Sequence, residues 1–67
     1  MEIYINDQPQ VFEPGASVQQ IVDAWAGEKQ KGIAVAINNT VVPRANWKDH
    51  LLQDHDRILL IKATQGG

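Results

Sequence analysis

The sequence contains no cysteine. No disulfide can staple the fold, and no thiolate can serve as a nucleophile, an iron–sulfur ligand or a zinc ligand. The absence fits a reducing compartment. No apolar run is long enough to cross a bilayer. The opening residues, Met1-Glu2-Ile3-Tyr4-Ile5-Asn6, lack the basic segment and apolar stretch of a secretory leader. These features predict a soluble, cytoplasmic protein with no membrane partner. Cations are scattered at Lys29, Lys31, Arg44, Lys48, Arg57 and Lys62, and the formal net charge is -2. Without a basic stripe, nucleic acid is not expected as a partner. The glycine spacing of a phosphate-binding loop is also absent, so any nucleotide site must belong to another protein.

A chain of 67 residues predicts one domain spanning residues 1–67. A chain this short buries only about 60 % of its unfolded surface. Without a disulfide, the apolar core must hold it together.

Alternation in Ile3-Tyr4-Ile5-Asn6 predicts a half-buried strand. Asn6-Asp7-Gln8 supplies a turn, and Pro9 to Glu13 returns as a second strand. Ser17 with Gln20 has the spacing of a capping box. Val18, Ile21, Val22 and Trp25 then share one helical face, expected to cover a sheet. Gly27 is placed to end the helix. Ile33 to Ile37 predicts a third strand, with Ile33, Val35 and Ile37 on one face and Ala34 and Ala36 on the other. Asn38-Asn39 makes a turn, and Val41-Val42 a short strand stopped by Pro43. Asn46 is a candidate cap for a brief helical turn carrying Trp47 and Leu51. Gln53 to Asp56 is a polar turn. Arg57 to Ala63 is the last strand, and Thr64-Gln65-Gly66-Gly67 reads as a flexible tail.

A mixed sheet of four to five strands wrapped on one main helix buries this set well, with the first and last strands parallel and central. That is the α+β, ubiquitin-like β-grasp arrangement.

Gly66-Gly67 has no side chains to pack and great conformational freedom. It reads either as a frayed end or as chemistry, because a chain without Cβ atoms can enter a narrow channel and present a carboxylate there. A carboxylate resists nucleophiles until it is activated, for instance as an acyl-adenylate. A sulfur nucleophile can then displace AMP. A chain without a thiol could carry sulfur covalently only as an acyl group on its terminus.

Five stretches carry a resemblance over nearly the whole chain: Ile3-Tyr4-Ile5-Asn6, Ala34-Val35-Ala36-Ile37-Asn38, Val42-Pro43-Arg44-Ala45-Asn46-Trp47, Gln53-Asp54-His55-Asp56-Arg57-Ile58 and Gly66-Gly67. The chain resembles the ThiS family of sulfur carriers in thiamine thiazole synthesis. The resemblance implies a protein cosubstrate rather than an enzyme. It implies that an E1-like partner, ThiF, adenylates Gly67 with ATP and magnesium, that a persulfide supplies sulfur, and that thiazole synthase, ThiG, receives it. No cofactor is expected on this chain itself. His55 and Asp7 stand where the family often has glycine, which matters if those positions need positive φ. The small subunit of molybdopterin synthase and a ubiquitin-like protein modifier are the alternative readings. The V-P-R-x-x-W stretch favours the thiamine branch.

If Ile3, Ile5, Ile58 and Leu60 face the core, then Tyr4, Ala34, Ala36, Leu59 and Ile61 form an apolar patch on the far face, a candidate partner surface. Trp47 is expected to pack inward. Arg44 is left between partner contact and plain solvation. His50 and His55 with Asp54 and Asp56 do not have ligand spacing, so no metal site is expected.

Overall fold

The computed structural model describes residues 1–63. Strands β1 (Glu2–Ile5) and β2 (Gln8–Val11) form an antiparallel hairpin. Asn6 and Asp7 occupy its turn at φ 50° and 69°, a left-handed pair that Asn and Asp tolerate better than most residues. The turn is tighter than the three residues expected, since Gln8 already pairs with Ile5. β2 correspondingly stops at Val11, short of Glu13. Beyond it, the amide of Phe12 donates to the carbonyl of Met1 at 2.9 Å. The N-terminal ammonium in turn donates to the carbonyl of Phe12 at 2.6 Å.

Helix α1 (Val18–Ala26) begins with the predicted capping box. The Ser17 hydroxyl accepts from the Gln20 amide at 3.2 Å, and the Gln20 side chain accepts from the Ser17 amide at 2.8 Å. A helix start leaves further amides without internal partners. Here Val18 donates to the carbonyl of His50 and Gln19 to that of Trp47. Gly27 ends the helix at φ 61°. Val18, Ile21 and Val22 are buried. Trp25, expected beside them, is 40 % exposed. It lies in the last helical turn beside Gln10 and Phe12, at the β2 edge, where no further strand among the described residues extends to cover it.

β3 (Ile33–Ile37), β4 (Thr40–Val41) and β5 (Arg57–Lys62) complete a five-stranded sheet in the order β2-β1-β5-β3-β4. β1 and β5 run parallel and the other neighbours are antiparallel. β4 begins one residue earlier than expected. Asn38 and Asn39, at φ 49° and 71°, make a two-residue turn that sets Thr40 opposite Ile37. Val42 therefore leaves the strand and enters the core.

The helical turn after Pro43 is a 3-10 turn, Arg44–Asn46, with Pro43 rather than Asn46 at its N-cap. Proline needs no amide partner there. Leu51 is 59 % exposed, and Leu52 is buried in its place. Leu51 bridges Ser17 in extended backbone and the Leu52 amide donates to Ala16, so alternation turns the second leucine inward. Trp47 is buried, as expected, and its indole Nε1 donates to the carbonyl of Val42 at 2.9 Å.

Ile3, Ile5, Val35, Ile37, Ile58 and Leu60 form the inner face of the sheet against α1, and Trp47, Val42 and Leu52 also enter this core. One sheet face is thus committed to packing. The architecture is the β-grasp fold.

Candidate functional site

The parallel pairing of β1 with β5 decides which side chains of β5 face outward, and a small set of polar groups fixes it. Asp54 accepts from the Glu2 amide at 2.8 Å, while the His55 amide donates to the Glu2 carbonyl at 2.6 Å. The Tyr4 amide donates to the Asp56 carbonyl. Asp56 closes its own turn by accepting from the Gln53 amide and also accepts from Asn38. The D-x-D turn is therefore a clamp on the start of β1. His55, between the two acids, sits at φ 69°, as its replacement of a frequent glycine suggested.

Past the clamp, Tyr4 aligns with Arg57 and Ile5 with Ile58. The Asn6 amide then donates to the Ile58 carbonyl at 2.9 Å. β1 turns away at this point, and the Asn6 carboxamide continues the ladder. Its Oδ1 accepts from the Leu60 amide at 2.8 Å and its Nδ2 donates to the Leu60 carbonyl at 3.2 Å. One side chain imitates the next peptide group of the strand.

With this register, Arg57, Leu59 and Ile61 face away from the helix. Leu59 lies opposite Ala36 and Ile61 opposite Ala34. Leu59 is 49 % exposed and Ile61 53 %. Tyr4 and Ala36 are half-buried, and Ala34 is exposed. The five residues predicted to share this face do share it. Val41, opposite Ala36, extends the surface at 70 % exposure. Sequence reasoning missed it, although counting outward from the Asn38-Asn39 turn places it there.

Arg57 was missed too, although it has the same parity as Leu59 and Ile61. Its guanidinium stands 5.4 Å from the centre of the Tyr4 ring. Tyr4, Ala36, Asn39, Arg57 and Leu59, with neighbours at the two turns, line a hollow of about 440 Å³.

At the other end of β5, the Ala63 amide donates to the Gly32 carbonyl at 2.9 Å. Gly32 has φ 79°, and a Cβ there would stand 3.2 Å from the Ala63 carbonyl oxygen. The last described residue is thus held against the sheet by a position suited to glycine. Gly66 and Gly67 lie outside the described residues.

On the helix side, Arg44 covers the Trp47 ring at 5.5 Å. Asp23 accepts from Gln19 at 2.9 Å and from Gln30 at 2.5 Å. These bonds, with Gln30 the stronger, hold its carboxyl below the ordinary value of 3.8. Among the described residues, no three acids or histidines are grouped as a metal site.

The model of the ThiS family matches residues 1–67. The chain belongs to the ThiS family. It is 39 % identical to the sulfur carrier protein ThiS of Escherichia coli (strain K12) over 67 residues, covering both sequences completely. Its fold is similar to the crystal structure of the thiamine biosynthesis protein ThiS from Geobacter metallireducens. The TM-score is 0.83 at 19 % identity, with both chains fully covered. The solution structure of a thiamine biosynthesis protein from Geobacter metallireducens matches with a TM-score of 0.79, covering 100 % of this chain and 88 % of that one.

Proposed function

We propose that this chain is a sulfur carrier of thiamine thiazole synthesis and works as a protein cosubstrate, with Gly67 as the residue that carries sulfur. The observation that carries the reading is the full-length match to ThiS of Escherichia coli. The chemistry of the sequence supports it, because a chain with no cysteine and no phosphate-binding loop needs a partner for activation.

The E1-like partner, ThiF, supplies ATP and magnesium. The Gly67 carboxylate attacks the α-phosphate, forming the acyl-adenylate and releasing pyrophosphate. The terminal sulfur of a persulfide then displaces AMP. A thiol cleaves the resulting S–S bond, leaving the thiocarboxylate on Gly67 and a disulfide behind. The thiocarboxylate passes its sulfur to thiazole synthase, ThiG.

Tyr4, Ala34, Ala36, Leu59 and Ile61 form the surface that docks the carrier on these partners. Four residues separate Ala63 from the terminal carboxylate, and Gly66 keeps the approach to it narrow. Fully extended, they span at most about 14 Å. Docking must therefore bring the end of β5 within that distance of the partner's nucleotide.

Intact-mass measurement after incubation with ThiF, ATP, magnesium and a sulfur source tests the reading. Replacement of one oxygen by sulfur, localised to the last peptide, is the expected result. An unchanged mass overturns it. Leu59→Ser removes exposed apolar area without touching the core, so it should weaken binding to ThiF and leave unfolding unchanged. Unaltered binding would dismiss the docking face.

A further inference from the structure

Arg57 interrupts an otherwise apolar surface. It stands on the outward side of the central strand, in line with Leu59 and Ile61 and beside Tyr4 on the neighbouring strand. A guanidinium has five donors arranged in a fork, and a carboxylate is its natural partner. Yet Arg57 forms no ion pair among the described residues, where the one acid–base contact within 4.0 Å joins His55 to Asp54.

Two of the nearby acids are engaged elsewhere. Glu2 accepts from the Tyr4 hydroxyl at 3.2 Å, and Asp56 accepts from Gln53 and Asn38. Asp7 lines the same hollow from the β1–β2 turn without pairing with Arg57. The guanidinium rests instead over the Tyr4 ring, at the edge of the 440 Å³ hollow. Stacking on an aromatic face leaves the in-plane donors of arginine free to bind a planar acid. The backbone of Arg57 is fixed as well, since its amide donates to the Asn38 side chain and its carbonyl accepts from the Asn38 amide. The side chain therefore springs from a rigid point.

We propose that Arg57 receives an aspartate or glutamate side chain of the adenylating partner, seated in the hollow beside Tyr4 and Leu59. This inference rests on the carrier reading above and adds the chemistry of the partner surface. It supplies a second anchor at the opposite end of β5 from Lys62. From Arg57 to Lys62, β5 advances roughly 17 Å. The partner's acid must therefore lie about that far from the end of β5. The apolar patch between the two anchors gives area. The acid–guanidinium contact gives direction, because a charge pair at one end prevents docking in the reversed sense.

The test measures affinity of the full chain for the adenylating partner by calorimetry at low and moderate salt. Arg57→Gln should weaken binding by at least about tenfold and flatten the dependence on salt. Arg57→Lys should recover only part of the loss, because an ammonium lacks the planar fork. Arg57→Glu should weaken binding further and be rescued by reversing the charge of one partner acid. Lys48→Gln, on the helix side, should change nothing. Thermal unfolding of the variants controls for folding. Arg57→Gln binding within twofold of the parent, with the same salt response, overturns the inference. If thiocarboxylate still forms on the parent chain in that case, the carrier reading stands. If the parent neither binds the partner nor gains sulfur, both fall.

Discussion

Replacing Asn6 by alanine tests whether one carboxamide completes the parallel ladder. The substitution removes both bonds to Leu60, at 2.8 and 3.2 Å. Each is a part-buried side-chain-to-backbone bond worth about 1 kcal/mol net. Alanine must also adopt φ 50°, and a left-handed residue with a Cβ costs about 1 kcal/mol more. The sum is about 3 kcal/mol, a large fraction of the stability of a domain this small. Thermal unfolding followed by circular dichroism should show a fall in Tm of about 12–24 °C. Asn6→Gly separates the two contributions, because glycine accepts positive φ freely. It should lose about 2 kcal/mol, the hydrogen bonds alone. The Leu60 amide should exchange with solvent faster in both variants. Equal stability of the alanine variant and the parent would refute the peptide-mimic argument. Equal loss in the glycine and alanine variants would refute the strain component.

Trp47→Phe keeps most of the buried ring but leaves the Val42 carbonyl without its donor. Chemical denaturation should show a loss of about 1–3 kcal/mol. His55→Gly relieves the left-handed strain at φ 69°. The exposed contact with Asp54 that it gives up is of little worth, so denaturation should show a gain of up to about 1 kcal/mol. Asp23 has a depressed carboxyl pKa in the folded chain, caused by Gln30 and then Gln19. Its contribution is therefore present above the unfolded value and fades as pH falls through the folded one. Carbon NMR titration should place Asp23 below 3.8, and Gln30→Ala should move it back up.

Much of this arrangement is written in local spacing. The boundaries of β3, the Ser17–Gln20 capping box, Gly27 and the Asn38-Asn39 turn depend on neighbours a few residues away, and each appears where the pattern places it. The outward parity of Leu59 and Ile61 follows from the inward parity of Ile58 and Leu60. Other features depend on distant chain. Trp25 fits the helical period, but the sheet ends before reaching it. Leu51 and Leu52 are adjacent leucines in an irregular stretch, and only the pairing with Ala16 and Ser17 decides which one turns inward. Nothing near Asn6 indicates that its carboxamide reaches a residue 54 positions later. That Arg57 has no ion pair among the described residues likewise emerges only when the strands are assembled.

The two outer strands bear on whether one such sheet can pair with another. In a two-residue hairpin, Ile5 and Gln8 form the hydrogen-bonded pair, so Pro9, opposite Tyr4, directs its nitrogen outward. That nitrogen carries no hydrogen, and the β2 margin offers an incoming strand a broken row of donors. The opposite margin, β4, is two residues long and offers almost no row at all. The chain can therefore keep greasy residues in open water while its sheet has nowhere to grow, so pairing of sheet with sheet is checked at the borders.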